Sequence, residues 1–118
     1  MSVGERLRAA FARDDFEEMI AVLDPDVVWL SCPEPGEETP ICRNRAEVRD
    51  MFEWHIAEGR RALPEIVAEG PGTIVVEMKL RAAPGEDLHQ VLSVRNDRVV
   101  RIQDCAHRES AMIRAGLA

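Results

Sequence analysis

The run from Ile74 to Cys105 constrains this chain more than any other segment. Ile74, Val76, Met78 and Leu80 alternate with Val75, Glu77, Lys79 and Arg81, the two-residue period of a half-buried strand. Leu88 to Val94 reads as the next strand and Val99 to Cys105 as the last, with Arg95-Asn96-Asp97-Arg98 as a tight hairpin between them. Leu63 to Glu69 supplies an earlier strand, separated from Ile74 by the Gly70-Pro71-Gly72 turn, and Ala83-Pro84-Gly85-Glu86 turns the chain once more. Consecutive strands joined by tight turns predict an antiparallel meander.

The first half is helical. Ser2 and Glu5 form a capping-box pattern ahead of the apolar stripe Val3, Leu7, Ala10 and Phe11. Asp14 and Glu17 repeat the capping signal, and Phe16, Met19, Ile20 and Leu23 form a second stripe that Asp24-Pro25-Asp26 ends. Val27-Val28-Trp29-Leu30 is a first strand. Ser31 to Ile41 carries Pro33, Pro35, Gly36 and Pro40 and reads as a long loop, a class of segment that is often functional. Asn44 and Glu47 cap a third helix whose stripe is Val48, Met51, Phe52 and His55, with Gly59 as its stop. Arg108 to Leu117 can add a short helix. Helices segregated from an antiparallel sheet define the α+β class, with three helices covering one face of the sheet.

At 118 residues one domain, 1–118, is expected, with a core large enough to stand without staples. The net charge of −7, from 22 acidic and 15 basic residues, repels phosphate backbones and argues against nucleic acid as a partner. The three cysteines, Cys32, Cys42 and Cys105, are odd in number and lack C-x-x-C spacing, so neither a disulfide framework nor a structural zinc site is expected. The three histidines lie in different elements, and no metal or other cofactor is expected. No apolar run approaches the ~20 residues that span a bilayer, so no membrane partner is expected either. The expected location is the cytoplasm.

Three stretches carry a resemblance. Asp15-Phe16-Glu17-Glu18 through Leu23-Asp24-Pro25-Asp26-Val27-Val28-Trp29 is one, Asn44 through Phe52 is another, and the Val91–Asp104 hairpin is the most specific. Together they resemble the nuclear transport factor 2-like superfamily and, within it, the SnoaL-like (polyketide cyclase or ketosteroid isomerase-like) proteins. The resemblance implies a cone-shaped roll in which helices pack on a strongly bent, mainly antiparallel sheet and enclose a pocket. It also implies a homodimer through the outer sheet face. It does not imply a reaction, because that superfamily holds isomerases, cyclases, dehydratases, hydrolases and binding modules.

Asp104 is the leading catalytic candidate. Val100, Ile102 and Asp104 share one face of the last strand, and Arg101 and Gln103 share the other. With the apolar face inward, Asp104 looks into the cavity, where its charged form is disfavoured and its pKa rises toward an acid/base range. The alternative is that Asp104 caps the strand end by accepting backbone N–H bonds. His55, on the apolar stripe of the third helix, is the second catalytic candidate; a satisfied core histidine is its other reading.

The ligand-lining candidates are Trp29, Cys32, Trp54, Met78 and His89. Each tryptophan offers an apolar wall with one N–H donor. His89 shares a face with Val91 and Ser93, while the more apolar set Leu88, Gln90, Leu92 and Val94 takes the inner face. That alternation puts His89 outward unless a bulge re-aims it. His107 follows the last strand, at a possible pocket mouth.

In ketosteroid isomerase a catalytic aspartate followed by proline comes just after the first strand. Here the matching pair is Cys32-Pro33, Glu34 could substitute as base only from a shifted position, and the chain has no tyrosine for that enzyme's oxyanion hole, so both departures count against that enzyme's chemistry. An aspartate–arginine–aspartate relay of the epoxide-hydrolase kind would need Arg81 or Arg101 to face inward, and the alternation puts both outward.

Two functions follow. One is a small-molecule acid/base catalyst (isomerase, cyclase or dehydratase) acting on a hydrophobic carbonyl or cyclic substrate. The other is a non-catalytic ligand-binding or assembly module with the same pocket. In both, the partner in the pocket is a small hydrophobic molecule.

Overall fold

A computed structural model describes residues 1–31, 38–80 and 87–117. Its most regular part is the expected meander. Strands β3 (Ala62–Gly70), β4 (Thr73–Leu80), β5 (Leu88–Arg95) and β6 (Arg98–Cys105) pair antiparallel in sequence order. Asn96 and Asp97 both take positive φ (52° and 59°), as a type I′ hairpin turn requires. Between β3 and β4, Pro71 and Gly72 form a two-residue turn in which Gly72 supplies φ of 72°.

β1 (Leu23–Ser31) lies parallel to β6 on its far side, and β2 (Thr39–Cys42) pairs antiparallel with β1, giving the order β2-β1-β6-β5-β4-β3. The result is a bent, unclosed six-stranded sheet with β2 and β3 at its edges. Register shifts interrupt the β1–β2, β1–β6, β3–β4 and β5–β6 ladders. Such bulges bend a strand and sharpen its twist.

Two boundaries differ from the sequence reading. Thr39 to Ile41, expected in the loop, belong to β2, because the free edge of β1 offers backbone partners that local composition does not reveal. Asp24-Pro25-Asp26 does not precede the first strand but lies within β1. Here the ladder to β6 shifts register between Leu23 and Val28, so the missing N–H of Pro25 costs nothing.

Helix α1 (Val3–Arg13) starts on the full Ser2–Glu5 capping box and ends where Asp14 turns left-handed, with φ of 55°. Its Gly4 faces the Glu69 side chain on β3 so closely that a Cβ would collide with it. The cap of α2 (Phe16–Ala21) is Asp15 accepting from Glu18, one residue later than the Asp14–Glu17 pattern expected. Asp14 is already committed to closing α1. Asn44 caps α3 (Arg45–Ala57) by accepting from the Glu47 N–H at 2.9 Å.

These three helices pack their apolar stripes on one face. Val3 and Leu7, Ile20 and Val48 meet Val27, Trp29, Ile74, Val76, Leu92, Val99 and Ile102 in the main core. Each such side chain contributes about 1.5–3 kcal/mol when taken from water.

The three expected helices thus cover one face, and the tail helix expected over Arg108 to Leu117 forms as well. A fourth, α4 (Arg108–Arg114), lies on the other face and covers Val75, Val91 and Cys105 with Ala111 and Met112. Val75 and Val91 stand on the outward alternation of their strands, and two adjacent apolar side chains there need a cover.

Candidate functional site

Asp104 lies on the core-facing side of β6, as its alternation with Ile102 predicts. Its nearest partners come from neighbouring strands. Trp29 Nε1 on β1 donates to Asp104 Oδ1 at 2.8 Å, and Gln90 Nε2 on β5 donates to the same oxygen at 3.1 Å. Gln90 is directly opposite Asp104 in the ladder, and Trp29 is opposite Ile102. The carboxyl is therefore held by two neutral side-chain donors rather than by backbone N–H groups. Burial pushes its pKa above the ordinary value, and the Trp29 and Gln90 hydrogen bonds oppose that shift only in part.

Trp29 is 4% exposed and stacks on Phe52 of α3, with ring centroids 5.2 Å apart and an interplanar angle of 24°. The stack fixes the indole plane and with it the direction of the N–H toward Asp104. Cys42 of β2 faces Trp29 across the β1–β2 ladder. Burial pushes the Cys42 thiol up to about 11, and the charges of Glu47, Asp104 and Asp50 act in the same direction. This thiol is inert toward nucleophilic chemistry at neutral pH.

Beside it runs an open groove of about 500 Å³ lined by Ile41, Cys42, Glu47, Asp50, Met51 and Trp54. Trp54 is half exposed on its rim, with the Arg60 guanidinium 5.7 Å from its ring centroid. His55 is half-buried on α3 and meets the Trp54 ring edge-on at 5.1 Å. Among the described residues no hydrogen bond joins His55 to Asp104.

The other candidates are spread out. Met78 is half-buried against the main core on β4, the strand beyond β5 from Asp104. His89 is on the opposite sheet face, as the alternation indicates, where it is 7% exposed and pairs with Glu77 at 3.2 Å. His107 caps no backbone group with its side chain at the start of α4. Cys32, Glu34 and Arg81 lie outside the described residues. The structure thus unites Asp104 with Trp29, places Trp54 and His55 together on α3, and separates His89 from both.

Sequence reasoning missed Gln90, Phe52 and Cys42 as parts of the site. The signal for Gln90 was present: it is the one polar residue in an otherwise apolar inward set. Among the described residues no group of three or more His, Cys, Asp or Glu is arranged to hold a metal ion, and no helix is long and apolar enough to cross a membrane.

Comparison with known proteins bears on the family and the fold. A search of curated proteins finds no match. Among solved structures, an NTF2-like protein of unknown function from Burkholderia pseudomallei is 25% identical, with a TM-score of 0.60, covering 98% of this chain and 95% of its own. TerC, in a crystal with polyporic acid, is 20% identical with a TM-score of 0.60, covering 96% and 94%. A putative polyketide cyclase from Sinorhizobium meliloti is 14% identical with a TM-score of 0.55, covering 87% and 93%. The last two likenesses are of fold alone. The SnoaL-like domain family matches residues 5–104, from the first turn of α1 to Asp104 itself, and the chain belongs to that family.

Proposed function

We propose that this protein binds a small hydrophobic carbonyl or cyclic compound beside Asp104 and uses that carboxyl as an acid/base. The observation that carries the reading is the pair of donors on one oxygen. Trp29 and Gln90 both donate to Oδ1, so Oδ2 is the oxygen that takes up or delivers a proton. A largely buried carboxyl with only neutral donors keeps its proton to higher pH than an exposed one, which suits it to protonate a carbonyl oxygen or remove an acidic C–H. Trp54 supplies exposed aromatic surface for a flat ligand on the groove's rim, and the His55 ring meets it edge-on. The reaction type is isomerisation, cyclisation or dehydration. Polyporic acid with TerC and the cyclase named above support that class by analogy of fold.

The test is a screen of cyclic and aromatic carbonyl compounds by NMR shift perturbation, followed by turnover assays on those that bind. Asp104→Asn keeps an oxygen acceptor for both donors and removes the titrating proton. Binding is expected to survive and turnover to vanish. Turnover unchanged in Asp104→Asn contradicts the reading. A second reading, a non-catalytic binding module, is favoured by the Trp29–Phe52 stack, which fills the inner face with apolar rings. Ligands that bind wild type without turnover would establish it.

A further inference from the structure

Along α3, Glu47, Asp50, Met51 and Trp54 recur at i, i+3, i+4 and i+7, so these four side chains stand on one strip of the helix. That strip is one wall of the open groove of about 500 Å³, and Ile41 and Cys42 of β2 are the other. The lining is apolar except for the two carboxylates, and among the described residues no lysine, arginine or histidine belongs to it. Neither carboxylate is paired with a cation there. Glu47 Oε1 accepts from the Arg43 backbone N–H at 3.2 Å, and among the described residues Asp50 makes no hydrogen bond or ion pair. On a neighbouring strip of the same helix the charges are matched instead, with Arg49 held between Glu17 and Glu53.

The unmatched charge is felt inside the groove. After burial, the carboxylates of Glu47, Asp104 and Asp50 are what raise the Cys42 thiol. At the rim, Trp54 is 51% exposed and already draws a cation, the Arg60 guanidinium 5.7 Å from its ring centroid. Apolar surface, an aromatic face and unpaired negative charge thus meet in one depression.

We propose that this groove selects a protonated amine that carries an apolar ring, with the ring on Ile41, Met51 and Trp54 and the ammonium group between Glu47 and Asp50. Selection by charge here rests on the groove being the ligand's seat, as proposed above, and narrows the carbonyl or cyclic class to its amine-bearing members. A neutral ligand gains only the apolar contact. An anionic one of the same shape meets two like charges at the edge of a low-dielectric wall.

The experiment is an NMR titration of the full-length chain, followed at the Trp54 indole N–H, with three probes of matched shape: phenylbutylamine, phenylbutanone and phenylbutanoate. The amine is expected to bind about tenfold tighter than the ketone at low salt, the scale of two exposed ion pairs with a cation–π contact. The carboxylate should bind more weakly than the ketone, and added salt should shrink the amine's advantage. Glu47→Gln with Asp50→Asn keeps the shape and the acceptor for the Arg43 N–H, both positions are exposed, and the amine should fall level with the ketone. The net charge of −7 attracts any cation, so a matched control is needed. Glu65→Gln with Glu109→Gln, on β3 and α4, removes the same charge outside the groove and should leave the amine's advantage in place.

Equal affinity for amine and ketone would overturn the selection by charge and leave the carbonyl reading standing. An amine advantage in a protein that turns over no carbonyl compound supports the selection and counts against the catalytic reading alone. An advantage that survives Glu47→Gln with Asp50→Asn, or is lost equally in the control pair, would overturn it. So would an advantage in the wild-type protein that salt leaves unchanged. No shift at Trp54 with any probe would overturn both readings of the groove. A Trp54 shift on concentrating the ligand-free protein would put a second copy in the groove and overturn the amine as its occupant.

Discussion

The two faces of the sheet solve the same problem in opposite ways. Gln90–Asp104 and His89–Cys105 are consecutive cross-strand pairs on the same two strands, yet they face different interiors. On the inner face one carboxyl meets two neutral donors beneath three helices and an aromatic stack. On the outer face a carboxylate meets an imidazole and a lysine beneath one short helix. Neutral donors leave a buried carboxylate partly uncompensated, so its pKa rises above the ordinary value. The Lys79 ammonium beside Glu77 compensates that carboxylate's charge instead. The difference lies in the partners, since the strands are shared.

The largest expected effect is at Trp29. Trp29→Ala removes a core aromatic, its stack on Phe52 and one donor to Asp104, and should cost about 3–5 kcal/mol in denaturant unfolding. A loss of no more than 1 kcal/mol would show that the inner face is not held by this stack. Next come Trp29→Phe and Gln90→Leu, which keep apolar bulk and delete one donor each. Either should cost about 1–3 kcal/mol at neutral pH and raise the pH at which Asp104 titrates. If neither change moves the titration, the two donors do not set the carboxyl's environment.

Val91→Ala, on the outer face, should cost about 1–2 kcal/mol, since two methyl equivalents are lost beneath a cover that can settle. Hydrogen exchange should then rise in α4 and leave α1 unchanged; faster exchange in α1 would mean that the two faces are not separate.

The smallest effect has the most informative sign. Asp104 has a folded-state pKa above its unfolded value, so the folded state holds more protons between those two values. Stability falls as pH rises through that window and stays lower above it. Asp104→Asn should therefore match wild type at acid pH and exceed it in melting temperature at neutral pH. A variant less stable than wild type at neutral pH would mean that the ionised carboxylate is favourably held.

Much of this was legible in the sequence, for reasons that differ by element. The Asn96-Asp97 hairpin was readable because those side chains tolerate positive φ at both central positions. The inward aim of Asp104 and the outward aim of His89 followed from strand alternation, but the same alternation put Val100 inward, whereas β6 bulges there and Val99 takes the core position. β2 was hidden, since a four-residue strand containing Pro40 exists only because β1 has an open edge. The cap of α2 was misplaced by one residue, because Asp14 and Asp15 are both good caps and only the left-handed turn at Asp14 decides between them. The site's donors were the hardest part: Trp29 and Gln90 reach Asp104 from strands 75 and 14 residues away, and no local pattern encodes that convergence.

The most direct test of the account is a ¹³C NMR titration of the Asp104 carboxyl in the folded wild-type protein. A midpoint above the ordinary aspartate value of 3.8, moving higher in Gln90→Leu, is what the buried, neutrally bonded carboxyl predicts. A midpoint at or below 3.8 would mean that the carboxylate is stabilised in its ionised form, and Asp104 would then be a structural anchor instead of an acid/base.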